Sequence, residues 1–130
     1  MSKNILRKIP AILVMVAIFI LSALPANQLP NTFDFSDKIK HFIAYFVLGM
    51  SLCLWISSNK WRTKPVVWGM LVVIICAIFG ISDEFHQSFV PGRSGNDLGD
   101  LTADIIGGLA APFLYFLVLK ATVFGRAPKP

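Results

Sequence analysis

A chain of 130 residues holds one domain, and its hydrophobic fraction of 55% with a mean hydropathy of +0.68 exceeds what a soluble domain of that size can bury. The surplus apolar surface must meet lipid, and with charged residues held to 15% and placed between or at the ends of apolar stretches, no soluble domain is left over. The formal charge of +5 does not indicate nucleic acid, because the basic residues are dispersed over short segments with no continuous stripe, and Lys and Arg kept in cytoplasmic loops account for it.

The first apolar run extends from Ile5 or Ile9 to Leu24, is closed by Pro25 and is preceded by Lys3, Arg7 and Lys8. It is long for a signal peptide and has a poor cleavage site at Leu24-Pro25-Ala26, so it is read as a first membrane helix. A second run starts at Asp37, a third at Pro65 or Val66 and a fourth at Asp97, the second and third being joined by the basic segment Ser57 to Lys64. Each is long enough to cross a hydrocarbon layer of ~30 Å at a rise of ~1.5 Å per residue. The expected architecture is all-α, a single domain over residues 1–130 with four transmembrane helices at about 5–24, 37–57, 65–89 and 97–123. Cys53 and Cys76 lie inside apolar runs without metal or disulfide spacing and are read as lipid-facing or packing residues.

Lys3, Arg7, Lys8, Lys60, Arg62, Lys64, Lys120, Arg126 and Lys129 fall at one membrane face, nine of the twelve basic residues, which assigns that face and both termini to the cytoplasm. Trp55, Trp61 and Trp68 flank the inner connection, where indoles favour the interface. All seven acids, Asp34, Asp37, Asp83, Glu84, Asp97, Asp100 and Asp104, map to the opposite half together with His41, His86, Lys38, Lys40 and Arg93. Acidic residues contribute little to insertion topology, so this clustering points to a working end outside the cell.

Within it, Asp37, His41 and Tyr45 recur every four residues on the second helix. Gly80, Asp83, Glu84 and Gln87 share a face of the third, and Asp97, Asp100 and Asp104 lead into Gly107, Gly108 and Ala111 on the fourth. Structural roles compete: Asp34 or Ser36 can cap the second helix, Asn96 or Asp97 with Asp100 can cap the fourth, and the glycines suit close helix packing, with Pro112 expected to kink the fourth helix. An ionisable group a turn or more inside the membrane costs at least ~2.5 kcal/mol unless paired or wet, which favours a functional pocket for His41, Asp83, Glu84 and Asp104. Arg93, after the Pro91-Gly92 turn, is a cation suited to a carboxylate or lipid phosphate.

The segments Asp37-Lys38-Ile39-Lys40-His41-Phe42-Ile43-Ala44-Tyr45, Ser82 to Arg93 and Asp97 to Gly107, in that order, resemble the VanZ-like family of bacterial membrane proteins over most of the chain. The family commonly has Asn where this sequence has Asp104. The resemblance implies a multi-span protein of the bacterial cytoplasmic membrane, and the family's founding member is associated with low-level resistance to the glycopeptide teicoplanin.

The leading functional expectation is an extracytoplasmic site that binds or modifies the phosphate or headgroup of a membrane lipid or lipid-linked envelope precursor. His41, Asp83 and Glu84 are its candidate catalytic groups; Asp37, Lys38, Tyr45, Gln87, Arg93, Asp97, Asp100 and Asp104 are its candidate ligand-binding groups. A His-plus-carboxylate set suits a divalent metal ion without fixing which, and no organic cofactor is expected. The alternatives are a non-catalytic structural subunit that docks another envelope protein, and a small homo-oligomeric transporter, which ranks last because the inner helix halves are nearly free of charge.

Overall fold

The computed structural model describes residues 3–28 and 37–124 and is all-α, with no strand among the described residues. The helices are α1 (Lys3–Leu6), α2 (Ile9–Ser22), α3 (Asp37–Trp55), α4 (Ser58–Thr63), α5 (Pro65–Gln87) and α6 (Leu98–Leu119), the last running into a π turn over Lys120–Phe124. Three segments, Asp37–Trp55, Pro65–Gln87 and Leu98–Val123, are long and apolar enough to cross a membrane.

The first apolar run differs from the expected single span. It is divided into α1 and α2 at Arg7-Lys8, and α2 has 14 residues, about 21 Å at the helical rise and short of the hydrocarbon thickness. Pro10 is the physical reason. It has no N–H to bond back into α1, whereas in the first turn of α2, where it lies, the missing donor costs nothing. The inner connection also differs: Ser58–Thr63 is a helical turn and a half, after which Pro65 opens α5 at a position pre-set for helix.

Helix α6 is the centre of the bundle, packed against α3 on one side and α5 on the other. Lipid supplies no hydrophobic force between helices, so close van der Waals contact through small residues must hold them. A Cβ added at Gly107 would strike the Phe42 carbonyl oxygen, one at Gly49 would lie 2.7 Å from Ala111 Cβ, and one at Gly108 would lie 2.7 Å from Cys76 Cβ. The small-residue face expected of the fourth helix thus serves both neighbours. Cys53 and Cys76 are both buried packing residues. Outward faces carry large apolar side chains such as Val66, Ile78, Phe85 and Phe113, as a bundle surrounded by lipid requires.

The two ends of the bundle differ in charge. At one end the Lys8 ammonium lies 5.1 Å from the centroid of the Trp55 ring, and that of Lys60 lies 4.3 Å from the Trp68 ring. Trp61, expected at the interface with them, is instead buried, donating its indole N–H to the Cys53 carbonyl at 3.3 Å. At the other end stand the start of α3, the end of α5, the turn after it and the start of α6. Here lie Asp37, Asp83, Glu84, Asp97, Asp100 and Asp104; Asp34 and Ser36, with the cap expected from them, lie outside the described residues, as do Arg126 and Lys129.

Candidate functional site

The polar end is assembled from three helices whose acidic and basic residues meet in two layers. The inner layer fills the seam between α3 and α6. Lys38 reaches across it, its Nζ 3.3 Å from Asp100 Oδ1 and 3.5 Å from Asp97 Oδ2. One turn deeper, His41 Nδ1 is 2.9 Å from Asp104 Oδ1, and His41 Nε2 is 4.0 Å from Asp100 Oδ2. Asp104 is fully buried and Asp100 nearly so, which in a membrane is tolerable only because each has this partner.

Asp97 resolves the choice of cap. It is the N-cap of α6, its Oδ1 accepting from the backbone N–H of Gly99 at 2.6 Å and of Asp100 at 3.4 Å. The Gly99 N–H above all, with Lys38 nearby, holds the Asp97 carboxyl below its ordinary range. Asp97 in turn donates its own backbone N–H to Glu84 Oε2 at 2.8 Å, and the Glu84 carbonyl accepts from Asn96 N–H at 3.3 Å. Glu84 therefore pins the start of α6 to the end of α5. The turn between them reverses through Gly92 and Asn96, both at positive φ, conformations that Gly and Asn adopt at least cost.

The outer layer is a cavity of about 280 Å³ between α2, α3 and α5. Its polar rim is Asp37, Lys40, His41, Asp83, Gln87 and Arg93; its deeper wall is Ile18, Leu21, Ala44 and the ring of Tyr45. A relay of hydrogen bonds organises the rim. Arg93 donates from Nε and Nη2 to Gln87 Oε1 at 3.1 and 2.8 Å, and Gln87 Nε2 donates to Asp83 Oδ2 at 3.2 Å. Two hydroxyls in the lining, Ser22 Oγ and Tyr45 Oη, are buried and have no hydrogen-bond partner.

Six of the expected site residues thus line the cavity: Asp37, His41, Tyr45, Asp83, Gln87 and Arg93. Lys38, Asp97, Asp100 and Asp104 lie behind it in the α3–α6 seam, and His41 belongs to both layers. His41 takes Asp104 as its hydrogen-bond partner, because α6 is the close neighbour of α3. One detail differs from expectation. Lys38, expected to meet a phosphate, is committed to α6, and the lysine of the cavity is Lys40. Helix geometry alone offered no signal: Lys38 is turned about 100° from Asp37, but Tyr45, which lines the cavity, is turned about 80° the same way, so the approach of α6 decides. Ser22 escaped notice because a lone serine in an apolar run has no periodic partner.

A family model described as VanZ/LLP1 matches residues 6–119, a stretch that contains every helix from α2 to α6 and all the site residues above. The chain belongs to the VanZ/LLP1 family. No curated protein and no solved structure matches it. The resemblance read from the His41, Asp83-Glu84 and Asp97–Gly107 segments is the same relationship.

Proposed function

We propose that this VanZ/LLP1 protein is a four-span component of the bacterial cytoplasmic membrane, N-in and C-in, with α1 and α2 together as its first span. Its polar end faces outward, and its cavity binds the phosphate or headgroup of a lipid or lipid-linked envelope precursor. The observation that carries this reading is the pair of buried, unpartnered hydroxyls, Ser22 Oγ and Tyr45 Oη, set in a cavity whose rim is charged and whose wall is apolar. A buried hydroxyl without a partner costs roughly 1–3 kcal/mol, so a ligand that meets both recovers what the fold forgoes. Arg93 would clamp the anionic oxygen, Lys40 would add charge, and Ile18, Leu21 and Ala44 would take the first methylenes of an acyl or prenyl chain. Any turnover would fall to His41, held by Asp104 in a fixed orientation, with Asp83 as the second carboxylate.

A second reading, a non-catalytic structural or docking subunit, draws on the internal pairing of the same groups: Asp83 with Gln87, Gln87 with Arg93, and Glu84 with Asp97. Native mass spectrometry of the protein released from membranes in mild detergent separates the two. The headgroup reading expects a retained phospholipid or polyprenyl phosphate in the wild type and its loss in Arg93→Ala with the amount of folded protein unchanged. Loss of folded protein in Arg93→Ala, with no lipid retained by the wild type, would leave the structural reading standing. Teicoplanin resistance is a secondary proposal, tested by whether deletion and overexpression shift teicoplanin susceptibility in opposite directions.

A further inference from the structure

Across its two layers, the polar end holds more buried negative charge than its own cations answer. Asp83, Glu84, Asp100 and Asp104 are all at least nine-tenths buried. Lys38 answers Asp100, the Gln87 amide meets Asp83, and His41 meets Asp104. Two oxygens are left over: Glu84 Oε1 and Asp104 Oδ2 are both buried and both without a hydrogen-bond partner. They belong to residues on two different helices, and each residue offers an oxygen that lies, with a ring nitrogen of His41 on a third, in a group whose ligand atoms are all within 4.8 Å of one another.

We propose that His41, Glu84 and Asp104 form a binding site for one divalent transition-metal ion, Mn²⁺ or Zn²⁺ by the chemistry of its ligands. Two carboxylates and one imidazole make a mixed oxygen and nitrogen set, which suits these ions, whereas Ca²⁺ takes oxygen alone and Cu⁺ takes sulfur. The present 2.9 Å between His41 Nδ1 and Asp104 Oδ1 is close to the ~3.0 Å between cis ligands ~2.1 Å from an octahedral ion, the geometry of Mn²⁺, whereas tetrahedral Zn²⁺ would need the pair to open to ~3.4 Å. The ion would also neutralise the excess charge in a place where water cannot, since unpaired carboxylates at membrane depth are costly. The supporting shell is present: the Asp97 N–H holds the other Glu84 oxygen, and Gly80 makes room for Asp104, because a Cβ there would lie 2.8 Å from Asp104 Oδ2. His41 also lines the cavity, so a bound ion would stand beside a headgroup phosphate. The site itself stands on the three-helix cluster and does not require the headgroup reading.

The test uses full-length protein without a polyhistidine tag, stripped of metal in detergent and titrated with Mn²⁺ or Zn²⁺ in the absence of added lipid. The expected result is one ion per chain, with affinity reduced more than about tenfold in Glu84→Gln and Asp104→Asn and retained in His86→Gln, which replaces the other histidine. Near-isosteric amides are chosen to preserve the fold, and a second measurement needs no variant. Pulsed electron paramagnetic resonance of Mn²⁺ bound to the wild type should show coupling to a histidine nitrogen. Binding that is absent, equally strong in both amide variants, or free of nitrogen coupling would overturn the site. Lipid retention in mass spectrometry is read separately, so failure of the metal site and failure of the headgroup reading are distinguishable.

Discussion

At the scale of single residues, the site is defined by which polar atoms are matched and which are left over. Tyr45 shows the difference. Its ring is core, packed 6.2 Å from that of Phe79, while its hydroxyl has no partner. If the hydroxyl serves a ligand, Tyr45→Phe should keep or raise thermal stability, since an unpaired buried hydroxyl costs roughly 1–3 kcal/mol, and should weaken retention of headgroup lipid. Thermal unfolding and native mass spectrometry of the variant check the two halves, and a drop in stability would show that the hydroxyl has a structural partner.

His41 and Asp104 behave as a matched pair. With chelator present, His41→Leu should strand the buried Asp104 and cost about 3–5 kcal/mol, and the double variant His41→Leu/Asp104→Leu should recover most of that loss. Denaturant unfolding in detergent reads both. The residue pattern was legible to different depths. Spacings of four put Asp37, His41 and Tyr45 on one face and made their proximity readable, but partner choice depends on which helix comes closest, and spacing within one helix carries no information on its neighbours.

At the scale of the element, helix α6 is fixed at its start by a cap and along its length by the absence of side chains. A Cβ at Gly107 meets the backbone of α3, which cannot move aside as a flexible side chain can, so Gly107→Ala should destabilise the bundle by roughly 1–3 kcal/mol through overpacking. Gly69→Ala is the control: its Cβ would stand 3.7 Å from Pro112 Cβ, an ordinary contact, and should leave stability nearly unchanged. Thermal unfolding of the two variants side by side makes the comparison.

The cap adds a pH dependence whose sign follows from Asp97. Its folded-state carboxyl titrates below the usual 3.8, so the cap contributes fully at neutral pH and is lost as pH falls through that lowered value. Amide hydrogen exchange in the first turn of α6, corrected for intrinsic rates, should therefore accelerate in acid in the wild type, and should already be fast at neutral pH in Asp97→Ala. The glycine face and the capping options of α6 were both readable from the sequence, because helix ends and small-residue stripes have local signatures. The break before α2 was readable in principle from Pro10, but an apolar run masks it: hydropathy averages over a proline that hydrogen bonding cannot ignore.

At the scale of the whole molecule, the bundle has a basic end bearing Arg7, Lys8, Lys60, Arg62 and Lys64 and an acidic end bearing six described carboxylates. Basic residues govern which side of the membrane a loop stays on, so the basic end should be cytoplasmic and the turn between α5 and α6 should lie outside. Acids have little say in that choice. Their gathering on one end therefore has to be explained by the pairings and the cavity they build, not by insertion. Single cysteines test the orientation cleanly because both native cysteines are buried. Ser94 and Asn59 are exposed and lie at opposite ends. In intact cells a membrane-impermeant maleimide should label Ser94→Cys directly and Asn59→Cys only after permeabilisation. The reverse pattern would put the cavity in the cytoplasm, where outer-leaflet precursors never present their headgroups, and would withdraw that ligand class while leaving the metal site to be judged by its own titration.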